Sequence, residues 1–234
     1  MLLKSIFALQ CLAISLTAAF PIEHKDTSTG YKTEPRAPAP YTQNGGLCYK
    51  GRQFPSTEEW LSFDQLWAIN KPQMLAADSP SEVDAIHKYI QEAANAAGIK
   101  REIFLAIMMQ ESGGNVRTKS GDGVTPGLMQ ALGSPDCLKS GFGQCPHSTI
   151  RAMLFAGALG THLTQGLASC FNMYGQQYGP MLRCYNSGSI LDPLNLDLVK
   201  FGTPSYVSDV ANRLRGVEPR KDCGFGVGIP SPGH

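Results

Sequence analysis

One carboxylate stands in an unusual setting. In "MMQESGG", Glu111 ends an apolar run and is followed at once by Ser112, Gly113 and Gly114. Ile107 and Met108 precede it by four and three residues, spacings that share one face of a helix, so Glu111 prolongs the apolar stripe of its own helix. Burial against apolar groups disfavours the charged form and raises a carboxyl pKa. A carboxyl kept protonated near neutral pH is what a general acid requires. The two glycines let the backbone leave the helix and open space beside the carboxyl. The plainer alternative is a frayed helix end that leaves Glu111 in water, and this stretch alone does not separate the two.

The elements that must position Glu111 are helical. "STEEWLSFDQLWAIN" opens on Ser56 with Glu59 three residues later, a capping-box pattern, and Trp60, Phe63 and Trp67 then share a face. "SEVDAIHKYIQEAANAAG" predicts a helix from an N-cap at Ser81 to the terminating Gly98, with Val83, Ile86, Ile90 and Ala94 at helical period. "REIFLAIMMQES" follows. The segment from Asn115 to about Cys145 is Gly-rich and broken, which predicts loops with a small β-hairpin. "HSTIRAMLFAGALGTHLTQGLA" reads as one long helix capped near Ser148. "GPMLRCYNSG" reads as a shorter helix, and "SYVSDVANRLRG" as a final one with a Tyr206, Val207, Val210, Leu214 stripe. The expected class is α+β, mostly helical, with a small loop and β-hairpin lobe.

The formal charge is +1 and there is no basic stripe, so nucleic-acid binding is not expected. "MLLKSIFALQCLAISLTAAF" resembles a secretory signal peptide over residues 1–19, with Lys4 before an apolar core and Thr17-Ala18-Ala19 at the cleavage site. Its apolar run falls short of the roughly 20 residues a membrane span needs. Residues 20–46 are polar and rich in Pro, Thr and Gly, which predicts a disordered linker or pro-segment. The folded domain is expected over 47–223, and 224–234 reads as a C-terminal tail. Beyond Cys11 six cysteines remain, an even set that suits disulfides in an exported, extracellular chain. The expected pairs are Cys137–Cys145 and Cys170–Cys184, which close short loops, and Cys48–Cys223, which ties the start of the fold to its end. No CxxC pair or histidine cluster suggests a metal, and no residue pattern suggests an organic cofactor.

Four segments follow one another in order: "ESGG", "PGLMQ", "CYNSG" and "SYVSDVANRL". Together they resemble the lytic transglycosylase SLT domain, a lysozyme-like family similar also to goose-type lysozymes. The wording of "RCYNSGSI" and "YVSDVANRL" is most similar to secreted fungal members. The resemblance spans about residues 57–216 and implies a lysozyme-like fold with the loop and hairpin lobe beside the cleft. It implies that Glu111 is the catalytic acid and that Ser112 helps position the sugar. Gly127, Met129 and Gln130 would line the cleft, Tyr185 and Asn186 would form its wall, and Tyr206 would face the acid. Each has a structural alternative: Met129 and Tyr206 as core residues, Asn186 as a turn residue before Gly188. Cys184 departs from the family, where alanine usually precedes "YN"; a disulfide to Cys170 would account for it.

Glycosidases commonly use two carboxylates. The candidates for a second are Asp122 and Asp136, of which Asp122 falls nearer to where goose-type lysozymes hold a water-positioning aspartate. The resemblance favours a single-glutamate transglycosylase acting on the β-1,4 backbone of peptidoglycan. The alternatives are a hydrolytic muramidase, a chitinase, and a secreted wall-binding protein without catalysis.

Overall fold

The computed structural model of the protein describes residues 45–121 and 123–226. The signal segment, most of the linker, Asp122 and the end of the C-terminal tail lie outside the described residues.

Seven α-helices are present among the described residues: α1 (Phe63–Ala77), α2 (Pro80–Ala97), α3 (Arg101–Ser112), α4 (His147–Leu159), α5 (Leu167–Met173), α6 (Tyr178–Ser187) and α7 (Tyr206–Leu214). Ser56 and Glu59 do form a capping box, but the element it opens is a single 3-10 turn, Thr57–Glu59. The first α-helix starts at a second box: the Ser62 N–H donates to Gln65 Oε1 at 3.0 Å, and the Gln65 N–H to Ser62 Oγ at 3.4 Å. Helix α2 is capped by Ser79 in place of the expected Ser81, because Pro80 suits the first helical position and Glu82 completes the box with Ser79. Gly98 ends it in the left-handed conformation, as expected.

The single long helix expected after Cys145 is two. Gly160 takes φ +86°, and a side chain there would sit 2.5 Å from the Thr164 carbonyl, so the chain turns back tightly before α5 begins. The Gly160–Gln165 bridge is an isolated antiparallel pairing within that turn. Residues 113–146 form the small lobe, but from turns and bends; no paired strands occur there among the described residues, so the hairpin part of the expectation is replaced by loop.

Helix α3 is the centre of the packing. Ile103 to Met109 are all buried, which no amphipathic surface helix would allow, and α1, α2 and α7 pack around it. Helix α2 also packs on α4, and α5 on α6. The loop lobe is held to this core by Arg117. Its guanidinium reaches Asp78 Oδ1 at 3.0 Å, bonds Glu82 Oε1, and donates through Nε to the Ser140 carbonyl at 2.9 Å. Both carboxylates are buried. Burial pushes the Asp78 carboxyl up to about 6. Burial also acts to raise Glu82, but hydrogen bonds from Arg117, Ser79 and the Cys145 backbone together hold it at about 2. The Cys137–Cys145 disulfide closes the same lobe.

The three expected disulfides are all formed. Around Cys48–Cys223 the entering chain is clamped onto α7. Buried Asn212 accepts from the Leu47 N–H and donates to the Leu47 carbonyl, both at 2.8 Å, and Ser208 Oγ accepts from the Tyr49 N–H at 3.1 Å. These bonds fix the helix that carries Tyr206.

Candidate active site

Glu111 sits in the last turn of α3, which Gly113 ends at φ +62°. The second glycine has a packing reason: a side chain on Gly114 would meet Met74 at 2.5 Å. Ser112 consolidates this exit. Its hydroxyl donates to the Met108 carbonyl at 3.1 Å and accepts from the Gly114 N–H at 3.1 Å, while its own carbonyl accepts from Thr118 Oγ1 at 3.1 Å. Ser112 therefore shapes the helix end and does not line the cavity described next.

Glu111 opens onto a cavity of about 590 Å³. The wall comes from three places. The lobe supplies Thr125, Gln130, Ala131 and Leu132; the turn before α5 supplies Thr164 and Gln165; α6 and the loop before α7 supply Tyr185, Asn186, Gly202 and Thr203. Among the described residues Glu111 is the one carboxylate on this wall. Asp136 is exposed and lies elsewhere, its side chain accepting from the Leu138 N–H at 3.0 Å.

Burial pushes the Glu111 carboxyl from its ordinary 4.5 up to about 7, against the opposing pull of a hydrogen bond from Tyr206. Tyr206, the first residue of α7, is buried and donates its hydroxyl to Glu111 Oε1. Burial and the neighbouring Glu111 charge hold the Tyr206 phenol well above its ordinary value, and the same two causes act on Tyr185. Both phenols thus remain protonated hydrogen-bond donors at neutral pH. Tyr185 donates to the Met129 carbonyl at 2.7 Å, joining α6 to the lobe across the cavity floor.

The "PGLMQ" segment divides its roles. Gly127 is buried at φ +84°, with Met153 Sδ 2.5 Å from where a side chain would begin, so it provides close packing and no lining atom. The Met129 side chain is fully buried against Gly157, so its part in the site is its backbone carbonyl. Gln130 does reach the cavity. It is one of two non-glycine residues at positive φ among the described residues, +46°, and its Nε2 bonds the Gly127 carbonyl at 2.9 Å. Such a conformation costs roughly 1–2 kcal/mol, which the surrounding packing must offset.

Six of the residues expected at a cleft, then, meet here in different ways: Glu111, Gln130, Tyr185 and Asn186 line the cavity, Tyr206 stands behind the acid, and Met129 offers its carbonyl. Sequence reasoning missed Arg183, which is wholly buried beneath Asn186, and Gly202 and Thr203 opposite it. An arginine on the apolar side of "MLRCYN" was a visible signal. The 16-residue step to Gly202 carried none, because no helical or strand period spans it.

Residues 88–135 match the family model described as the transglycosylase SLT domain. The matched stretch contains most of α2, all of α3, Glu111 and the Gly127–Gln130 segment; α6 and α7 lie beyond it. The mostly helical architecture agrees with the lysozyme-like fold that goes with such a domain. No curated protein and no solved structure matches the chain.

Proposed function

We propose that this protein is a secreted lytic transglycosylase that cleaves the β-1,4 N-acetylmuramic acid–N-acetylglucosamine backbone of peptidoglycan with Glu111 as its single acid and base. The observation that carries the reading is a carboxyl with pKa near 7, inside the SLT-matched stretch, on the wall of a cavity of sugar dimensions. Protonated Glu111 donates its proton to the glycosidic oxygen as the bond from C1 breaks. The acetamido carbonyl of the same sugar stabilises the positive charge developing at C1. Glu111, now a carboxylate steadied by the Tyr206 hydroxyl, takes the proton of the sugar's own 6-hydroxyl, whose oxygen attacks C1. One glycosidic bond is lost, one intramolecular ether is gained, and Glu111 regains its proton. The product end is a 1,6-anhydro sugar.

Three disulfides support export to an oxidising compartment. No helix among the described residues is long and apolar enough to cross a membrane.

The test is release of soluble fragments from purified peptidoglycan and, in parallel, from chitin, by wild type and Glu111→Gln. Fragments from peptidoglycan with wild type alone support the reading. Equal release by the variant removes Glu111 as the acid, and release from chitin alone reassigns the substrate.

A further inference from the structure

Among the described residues Arg183 is the largest fully buried side chain, yet none of their acidic side chains hydrogen-bonds it. Its guanidinium instead binds the loops around the cavity. Nε donates to the Leu196 carbonyl at 2.6 Å, and Nη2 to the carbonyls of Thr203 and Pro204, each at 3.1 Å. Nη1 donates to Ser187 Oγ at 2.9 Å and to Asn186 Oδ1 at 3.0 Å. The Thr203 N–H donates to the same Asn186 Oδ1 at 2.8 Å. Gly202 makes the approach feasible: at φ +90°, a side chain there would lie 2.4 Å from that oxygen.

Two donors on one atom settle which end of the Asn186 amide is oxygen, because a flipped amide would set N–H groups against N–H groups. The amide nitrogen has no partner among the described residues, and Asn186 borders the cavity one residue from Tyr185. The Asn186 side chain therefore has a donor and no acceptor to offer the cavity.

We propose that Arg183 is a positioning residue for substrate choice: by holding the Asn186 carbonyl inward it makes the cleft select a pure acceptor, the carbonyl of a 2-acetamido sugar. Sugar hydroxyls both donate and accept, so a donor-only group does not tell them apart. An acetamido carbonyl only accepts, and a de-acetylated sugar replaces it with an amine that, once protonated, only donates. The proposal rests on the glycan reading of the site.

Binding and turnover are measured for N-acetylated glycan oligomers and for the same oligomers after de-N-acetylation. Wild type is expected to favour the acetylated form by about tenfold or more, the worth of one well-made hydrogen bond together with the ammonium's mismatch. Asn186→Asp keeps the inward oxygen that accepts from both Arg183 and Thr203 but has no N–H to give, so the preference should vanish or invert toward the amine. Arg183→Lys retains the charge but not the fork, and should erode the preference chiefly through KM. A wild type indifferent to the acetyl group, or an Asn186→Asp variant with unchanged preference, overturns the proposal. Preferential binding of acetylated oligomers without turnover leaves this proposal standing and removes the catalytic reading.

Discussion

Replacing Glu111 by glutamine should make the protein more stable at alkaline pH while abolishing catalysis. The folded carboxyl titrates at about 7 against an ordinary 4.5, so between these values the folded state binds a proton that the unfolded chain has released. Stability contributed by the protonated carboxyl is present in full below about pH 4.5 and is lost as pH rises through 7. At about 1.4 kcal/mol per unit, the loss reaches roughly 3 kcal/mol as an upper bound, since the carboxyl borders an open cavity. Glutamine has nearly the same shape, its Oε1 can accept from Tyr206, and it does not titrate. The variant and wild type should therefore unfold together near pH 4.5. By pH 8 to 9 the variant should melt higher, by up to about 8 °C for a domain of this size. Paired thermal melts across that range provide the assay, and the difference cancels titrations common to both proteins. Parallel curves from pH 4.5 to 9 would refute the claim that burial holds this carboxyl protonated.

Tyr206→Phe removes the hydrogen bond that favours the Glu111 carboxylate, so the alkaline limb of the pH–rate profile should move to higher pH and kcat should fall about tenfold. Arg117→Ala leaves Asp78 and Glu82 buried without their cation and should cost about 3–5 kcal/mol by denaturant unfolding, with the loop lobe loosening first in hydrogen exchange. Removing the Cys48–Cys223 bond as the Cys48→Ala/Cys223→Ala double variant frees a closure of 175 residues. Chain entropy puts that loss at about 5 kcal/mol, read from the shift in denaturant midpoint.

Helix α3 and its glutamate were legible because two local rules agree there: an apolar run sets burial and adjoining glycines set the end. The disulfides were legible because, of fifteen possible pairings, the one expected joins near neighbours into short loops and the remaining two cysteines at the ends of the fold. Helix starts were less so. Ser56, Ser62, Ser79 and Ser81 all offer a hydroxyl, and the choice among them turned on Pro80 and on which Glu or Gln falls three residues on. The break at Gly160 was hidden because its cause is close backbone packing against residues 164–166, invisible to periodicity. At the cavity, the motifs gather several of its wall residues but do not tell which atom faces it. Met129 and Gln130 are adjacent, yet one is core and the other wall, since a left-handed residue between helix-free segments obeys no period. Arg183 works through loops 13 to 21 residues away in the chain, and only the folded structure brings them over Asn186.

The reaction itself is tested most directly by digesting purified peptidoglycan in water enriched in oxygen-18 and weighing the new sugar ends. If Glu111 directs the 6-hydroxyl onto C1, wild-type products end in 1,6-anhydro sugars that carry no label, and Glu111→Gln yields no new ends. Reducing ends that carry oxygen-18 would mean that water attacks, and would contradict the single-glutamate transglycosylase account.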